Sequence, residues 1–194
     1  MATRTGERKV QILQVLAEML QDPKGERITT AALAAKLSVS EAALYRHFAS
    51  KAQMFEGLIS FIEETVFGLI NKITADETDG MKQVHQILAM LLSFAERNPG
   101  MVRVLIGDAL VNEDDRLQVR INQLHDRLES QLKQCLRVAA TQPQADGVQA
   151  TGDDEPAARA NIMVCYVVGR WHQFAKSGFK RRPTEQWDKQ WPWL

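Results

Sequence analysis

The chain has 194 residues, 45% hydrophobic and 25% charged. That is enough to bury a core and too apolar for a disordered protein. No apolar run reaches the roughly 18 residues of a membrane span. Lysine plus arginine and aspartate plus glutamate number 24 each, but residues 1–51 hold eight cations against five carboxylates, which places any polyanionic partner at the head.

Helical periodicity runs almost throughout, and the expected fold is all-α. Val10, Leu13, Leu16, Ala17 and Leu20 mark a first helix, which "DPKG" at 22–25 ends. Thr29 or Thr30 caps a short second helix to about Leu37, and Ser40 a third, from Glu41 to about Phe48. Ser50 caps a fourth, from Lys51 to about Ile73. "ADETDG" is a loop, Met81 to Glu96 a fifth helix, and "NPG" at 98–100 its stop. A short sixth helix is expected from Met101 to about Leu110, and a long seventh from Asp114 to Ala139. Polar residues 141–154 read as a surface loop. An eighth helix runs from about Pro156 to Ser177, with its proline in the first turn. The tail "FKRRPTEQWDKQWPWL" holds three of the four tryptophans and is expected to fold back over apolar surface.

The second and third helices, joined by "SVS", form a helix-turn-helix. Ala31, Ala34 and Ala35 keep the crossing close, and Leu33, Leu37, Val39, Leu44 and Phe48 fill the space beneath. In that arrangement Ser40 starts the recognition helix, and Ala42 and Ala43 let it sit deep in a major groove. Tyr45, Arg46 and His47 bring donors to its far end. Thr29, Thr30 and Lys51 flank the reader, where backbone contacts fix docking without reading sequence.

"ITTAALAAKLSVSEAALYRHFASKAQMF" resembles the DNA-binding head of the TetR family. The resemblance implies a three-helix head, residues 1–50, on a helical core, residues 51–194, working as a homodimer. A glycine often sits in that family's turn; here the turn carries Ser38, which requires either strain or a turn without positive φ. Further stretches, "FAERNPGMVRVLIGDALVNEDDRLQVRINQLHDRLESQLKQCLR" and "FKRRPT", resemble the nucleoid occlusion branch of the family. That resemblance implies binding to palindromic chromosomal sites, with several dimers able to share one site. It also implies DNA-promoted antagonism of the tubulin-like division protein FtsZ, whose C-terminal tail would be a partner. The branch's tail-binding groove falls on Phe61, Leu69, Met90, Ser93, Arg97 and Asn98, between the fourth and fifth helices. Leu69 stands where a basic residue is expected and Ser93 where a glycine is. From the residues alone, Arg97 complements a helix C-terminus or meets an acidic peptide.

For the dimer, the seventh helix offers a stripe that includes Leu117, Ile121, Leu124 and Leu128. The eighth, with Val164, Val168 and Trp171, is apolar nearly all round. Two such helices from each subunit would make a four-helix interface. The alternative function is a ligand-gated transcriptional repressor of the TetR type, which needs a roomy core pocket; the fifth helix, "VHQILAMLLSF", favours a filled core. The four histidines lack metal spacing, no nucleophile, phosphate-loop or dinucleotide motif is present, and no cofactor is expected. Cys135 and Cys165 read as thiols of a reducing cytoplasm. The opening "MATRTGERKV" has no apolar leader, so a cytoplasmic, nucleoid-associated protein is the expectation.

Overall fold

The computed structural model describes residues 4–22, 28–142 and 155–194. Among them every regular element is helical: α1 Arg4–Met19, α2 Thr30–Lys36, α3 Glu41–Tyr45, α4 Lys51–Asp76, α5 Gly80–Arg97, α6 Pro99–Leu105, α7 Asp115–Thr141, α8 Glu155–Lys176 and α9 Trp187–Gln190. Short 3₁₀ turns follow α6 and α9. Most of "DPKG" and of the 141–154 loop lies outside the described residues.

The boundaries have local causes. Ser50 and Gln53 cap α4 reciprocally: the Ser50 hydroxyl accepts from the Gln53 amide at 3.1 Å, and the Gln53 side chain accepts from the Ala49 amide at 2.9 Å. Asp79 caps α5 by accepting from the Lys82 amide at 3.0 Å. Asn98 separates α5 from α6, and Pro99 opens α6, where its missing N–H is no loss. The sixth helix therefore starts before Met101 and stops at Leu105, and Gly107, at φ 77°, turns the chain into the 3₁₀ segment Asp108–Leu110.

The chain divides into two compact units, Met1–Glu63 with Asn98–Ile121, and Glu64–Arg97 with Asn122–Leu194. In the first, α6 lies against α1 so closely that a Cβ on Gly100 would stand 1.9 Å from the Ala17 carbonyl oxygen. Arg120 of α7 holds the first half of α4: its guanidinium donates to both Glu63 carboxylate oxygens, at 3.2 and 2.5 Å, to the Ser60 hydroxyl at 2.8 Å and to the Glu56 carbonyl at 3.2 Å.

In the second unit, α5 turns Val84, Ile87, Leu88, Leu91, Leu92 and Ala95 inward, each almost fully buried. It packs on α8, whose Trp171 indole N–H donates to the Leu91 carbonyl at 3.3 Å. A Cβ on Gly80 would stand 2.3 Å from the Ala139 nitrogen, so α5 begins in close contact with the end of α7. The tail folds back in part. Trp187 is buried and stacks with His85, Tyr166 and Trp191, whereas Trp193 is 87% exposed.

One expectation is corrected here. Leu117, Ile121, Leu124, Leu128, Val164 and Trp171, assigned to a dimer interface, are all buried within the single chain, and Val168 is half-buried. A stripe of large apolar residues at helical spacing faces its own core first. Among the residues α8 leaves exposed is a different row: Ile162, Cys165, Gly169 and His172, spaced by three and four residues.

Candidate nucleic-acid interface

The head's reader is built from three turns of capped backbone. Thr29, extended at φ −104° and ψ 153°, is the N-cap of α2, and its hydroxyl accepts from the Ala32 amide at 3.1 Å. At the other end of α2 the Val39 amide donates to Ala34 O and the Ser38 amide to Ala35 O, both at 3.0 Å. Those two bonds define a Schellman cap with Ser38 at its left-handed position, φ 56°. The turn thus takes the strained option: a serine holds the conformation glycine would adopt freely. The chain leaves this cap directly into Ser40, whose hydroxyl accepts from the Ala43 amide at 3.3 Å and caps α3.

Helix α3 is only five residues long. It ends at Tyr45 rather than Phe48, because the His47 and Phe48 amides both close onto the Leu44 carbonyl and swing Phe48 into the interior. Leu33, Ala34 and Leu44 lie beneath the crossing. Ala42, Tyr45 and Arg46 are exposed, and Ala43 is half-buried. Tyr45 is 45% exposed, and its hydroxyl stands 3.5 Å from the Thr30 hydroxyl, a marginal bond. The aromatic body and phenol are therefore available to a groove. His47 is half-buried with Nδ1 enclosed and without a partner among the described residues, so any contact it makes outward comes through Nε2.

Two acidic residues at this surface were not singled out from the sequence. Glu41, in the first turn of α3, accepts from the Thr30 hydroxyl at 2.5 Å and ties α2 to α3. An exposed carboxylate there can accept from a cytosine amino group and repels phosphate. Glu113 forms a part-buried ion pair with Lys51, whose ammonium also lies 5.6 Å from the Phe55 ring centroid. Lys51 is thus already engaged within its own unit. Both signals were hidden because the partners lie 11 and 62 residues away in sequence.

Residues 12–58 match the profile of the tetR family of bacterial regulatory proteins, and residues 78–194 that of the tetracyclin repressor-like C-terminal domain of SlmA-like proteins. Nucleoid occlusion factor SlmA of Alteromonas mediterranea is 54% identical to this chain, over 98% of the chain and 95% of that protein. The chain belongs to the SlmA family of nucleoid occlusion factors. SlmA of Idiomarina loihiensis is 50% identical over 98% and 95% of the two chains, and SlmA of Shewanella oneidensis 50% over 96% and 92%. A TetR-family regulator from Pectobacterium atrosepticum (TM-score 0.66, 16% identity, 99% and 95% covered) shares the fold. So does Bacillus subtilis FadR, solved with stearoyl-CoA (0.68, 12%, 94% and 95%). The head is accordingly a DNA-binding one, and the family is non-enzymatic.

Residues expected to meet a protein partner stand as follows. On α4, Phe61 is 42% exposed and Leu69 40%. They are eight residues apart, which returns them to neighbouring positions around the helix. On α5, Met90 and Ser93 are half-buried and Arg97 is exposed at the last turn, while Asn98, just beyond, is half-buried. Arg97 makes no ion pair with any described residue. Large apolar side chains open to solvent are what a docking surface leaves uncovered.

Proposed function

We propose that this protein binds palindromic chromosomal sites as a homodimer. Bound there, it antagonises assembly of FtsZ, so that division does not proceed over unsegregated DNA. The observation that carries the reading is near-full-length similarity, 54% over 98% of the chain, to a protein named for nucleoid occlusion. The geometry supports it at each surface. Tyr45 and Arg46 project from a short helix set by two caps, with Thr29, Thr30 and Lys51 on its flanks. A two-fold dimer would place two such helices about one DNA turn, roughly 34 Å, apart. The exposed α8 row Ile162, Cys165 and Gly169 suits a helix-to-helix seam, because small residues admit a close backbone approach. In the second unit Leu69, Met90, Ser93 and the exposed Arg97 offer apolar contacts and a cation, which suits an extended apolar-acidic tail; the resemblance adds Phe61 and Asn98 to that tail's contacts. The protein would act at the nucleoid, and among the described residues no helix is long and apolar enough to cross a membrane.

The test is fluorescence anisotropy of a labelled FtsZ C-terminal peptide, with and without a palindromic duplex on the protein. Tightening with DNA supports a DNA-activated division inhibitor. No peptide binding in either state, with DNA binding intact, would replace this reading with the ligand-gated repressor.

A further inference from the structure

Between α8 and α9 the chain presents Lys180, Arg181 and Arg182 in succession, all exposed. Consecutive cations on a loose loop would be unremarkable, but this loop is built rigidly. The Gly178 amide donates to Ala175 O at 3.1 Å and the Phe179 amide to Phe174 O at 2.9 Å, a second Schellman cap. The Phe179 ring lies edge-on to Phe174, 5.2 Å between centroids, which supplies the cap's apolar contact. The Ser177 hydroxyl then accepts from the Lys180 and Arg181 amides, at 3.1 and 2.8 Å. Arg170, 8% exposed, donates to the carbonyls of Arg182, Pro183 and Glu185 at 2.8, 3.1 and 3.0 Å. A buried guanidinium is thus spent on carbonyl oxygens, and it turns that backbone inward.

The same loop is clasped to the last turn of α5. Glu96 accepts from the Thr184 amide at 2.9 Å and from its hydroxyl. Residue 97, next in line, is the exposed Arg97. None of Arg97, Lys180, Arg181 and Arg182 is ion-paired with a described residue. The Glu96 carboxylate, next to Arg97 in sequence, is occupied by Thr184.

We infer that Arg97 and Lys180–Arg182 form one pre-ordered cationic platform that docks an acidic peptide segment. This deepens the proposed function, since Arg97 is the end of the proposed tail site, and it rests on that reading for the identity of the peptide. Preordering matters because the loop's conformational entropy is lost on folding rather than on binding. Charge complementarity selects the occupant: a segment with several carboxylates close to the apolar residues that meet α4 and α5.

The experiment uses full-length protein with Arg181→Glu/Arg182→Glu, beside Arg97→Glu, with thermal melts to check that each folds. Three fluorescent probes are titrated: the FtsZ C-terminal peptide, an unrelated Asp/Glu-rich peptide of equal length, and a palindromic duplex. The double reversal should weaken the FtsZ peptide about tenfold or more near 50 mM salt, less at higher salt, and leave the duplex unchanged. If Arg97→Glu weakens the FtsZ peptide and the double reversal does not, the platform is overturned while the proposed function stands. If wild type ignores the FtsZ peptide but binds the unrelated acidic peptide through Arg181 and Arg182, the platform stands and that function falls. Binding of neither peptide overturns both. Loss of duplex binding alone would make the loop a phosphate-contacting surface and overturn the inference.

Discussion

Ser38→Gly should stabilise the DNA-binding head. Ser38 occupies the left-handed position of the α2 cap at φ 56°. For an L-residue that conformation costs about 1–2 kcal/mol, and glycine removes the penalty. Glycine in turn loses about 0.5–1 kcal/mol more backbone entropy on folding. The Ser38 side chain is exposed and has no hydrogen bond with a described residue, so its removal forfeits no contact. The balance is a gain of about 0.5–1 kcal/mol. Because the chain divides into two units, local amide hydrogen exchange is the sharper assay. Amides of α2 and α3 that exchange through opening of the head should slow roughly two- to fivefold. Ser38→Val is the counterpart. A β-branched residue at positive φ is an outlier, and it should speed the same amides. If the glycine variant exchanges as fast as wild type, or the valine variant no faster, the turn is not held left-handed and the strain argument is wrong.

Other substitutions address other levels. Tyr45→Ala should lose site-specific DNA affinity, by about 1–3 kcal/mol, with little change in melting temperature, because its ring is 45% exposed and its one hydroxyl contact is marginal. A thermal melt that falls in step with affinity would mean the residue is a strut instead of a reader. Gly100→Ala should destabilise the first unit by about 3 kcal/mol, since its Cβ would meet a backbone carbonyl at 1.9 Å; a urea midpoint equal to wild type would contradict the α1–α6 contact. Ile162→Arg, at a position 56% exposed, should leave the protomer folded and convert the dimer to monomer in sedimentation at micromolar concentration; a persistent dimer would place the seam elsewhere.

Local chemistry carried much of this protein in the sequence. The caps at Thr29, Ser40 and Ser50, the proline in the first turn of α8 and the stripe of α7 all depend on neighbours within one or two helical turns, so the all-α fold and the reader's outline were legible there. The strain at Ser38 was posed by the sequence as two options, and the backbone took one. What lay beyond reach depended on distant pairs. The ion pair of Lys51 with Glu113, the Glu41 bond to Thr30 and the Arg170 clamp join residues whose separation along the chain carries no periodic signal.

The dimer stripe shows the same limit from the other side. Periodicity identifies which residues are apolar on one face, but not whether that face meets its own chain or a copy of it. Only packing decided that Leu124 and Trp171 are interior and Ile162 and Cys165 exposed. The division into two units is likewise invisible in the pattern, because α4 and α7 run through it without a break. A helix is specified by hydrogen bonds four residues apart and a core by contacts dozens apart; the sequence records the first directly and the second only through the fold it reaches.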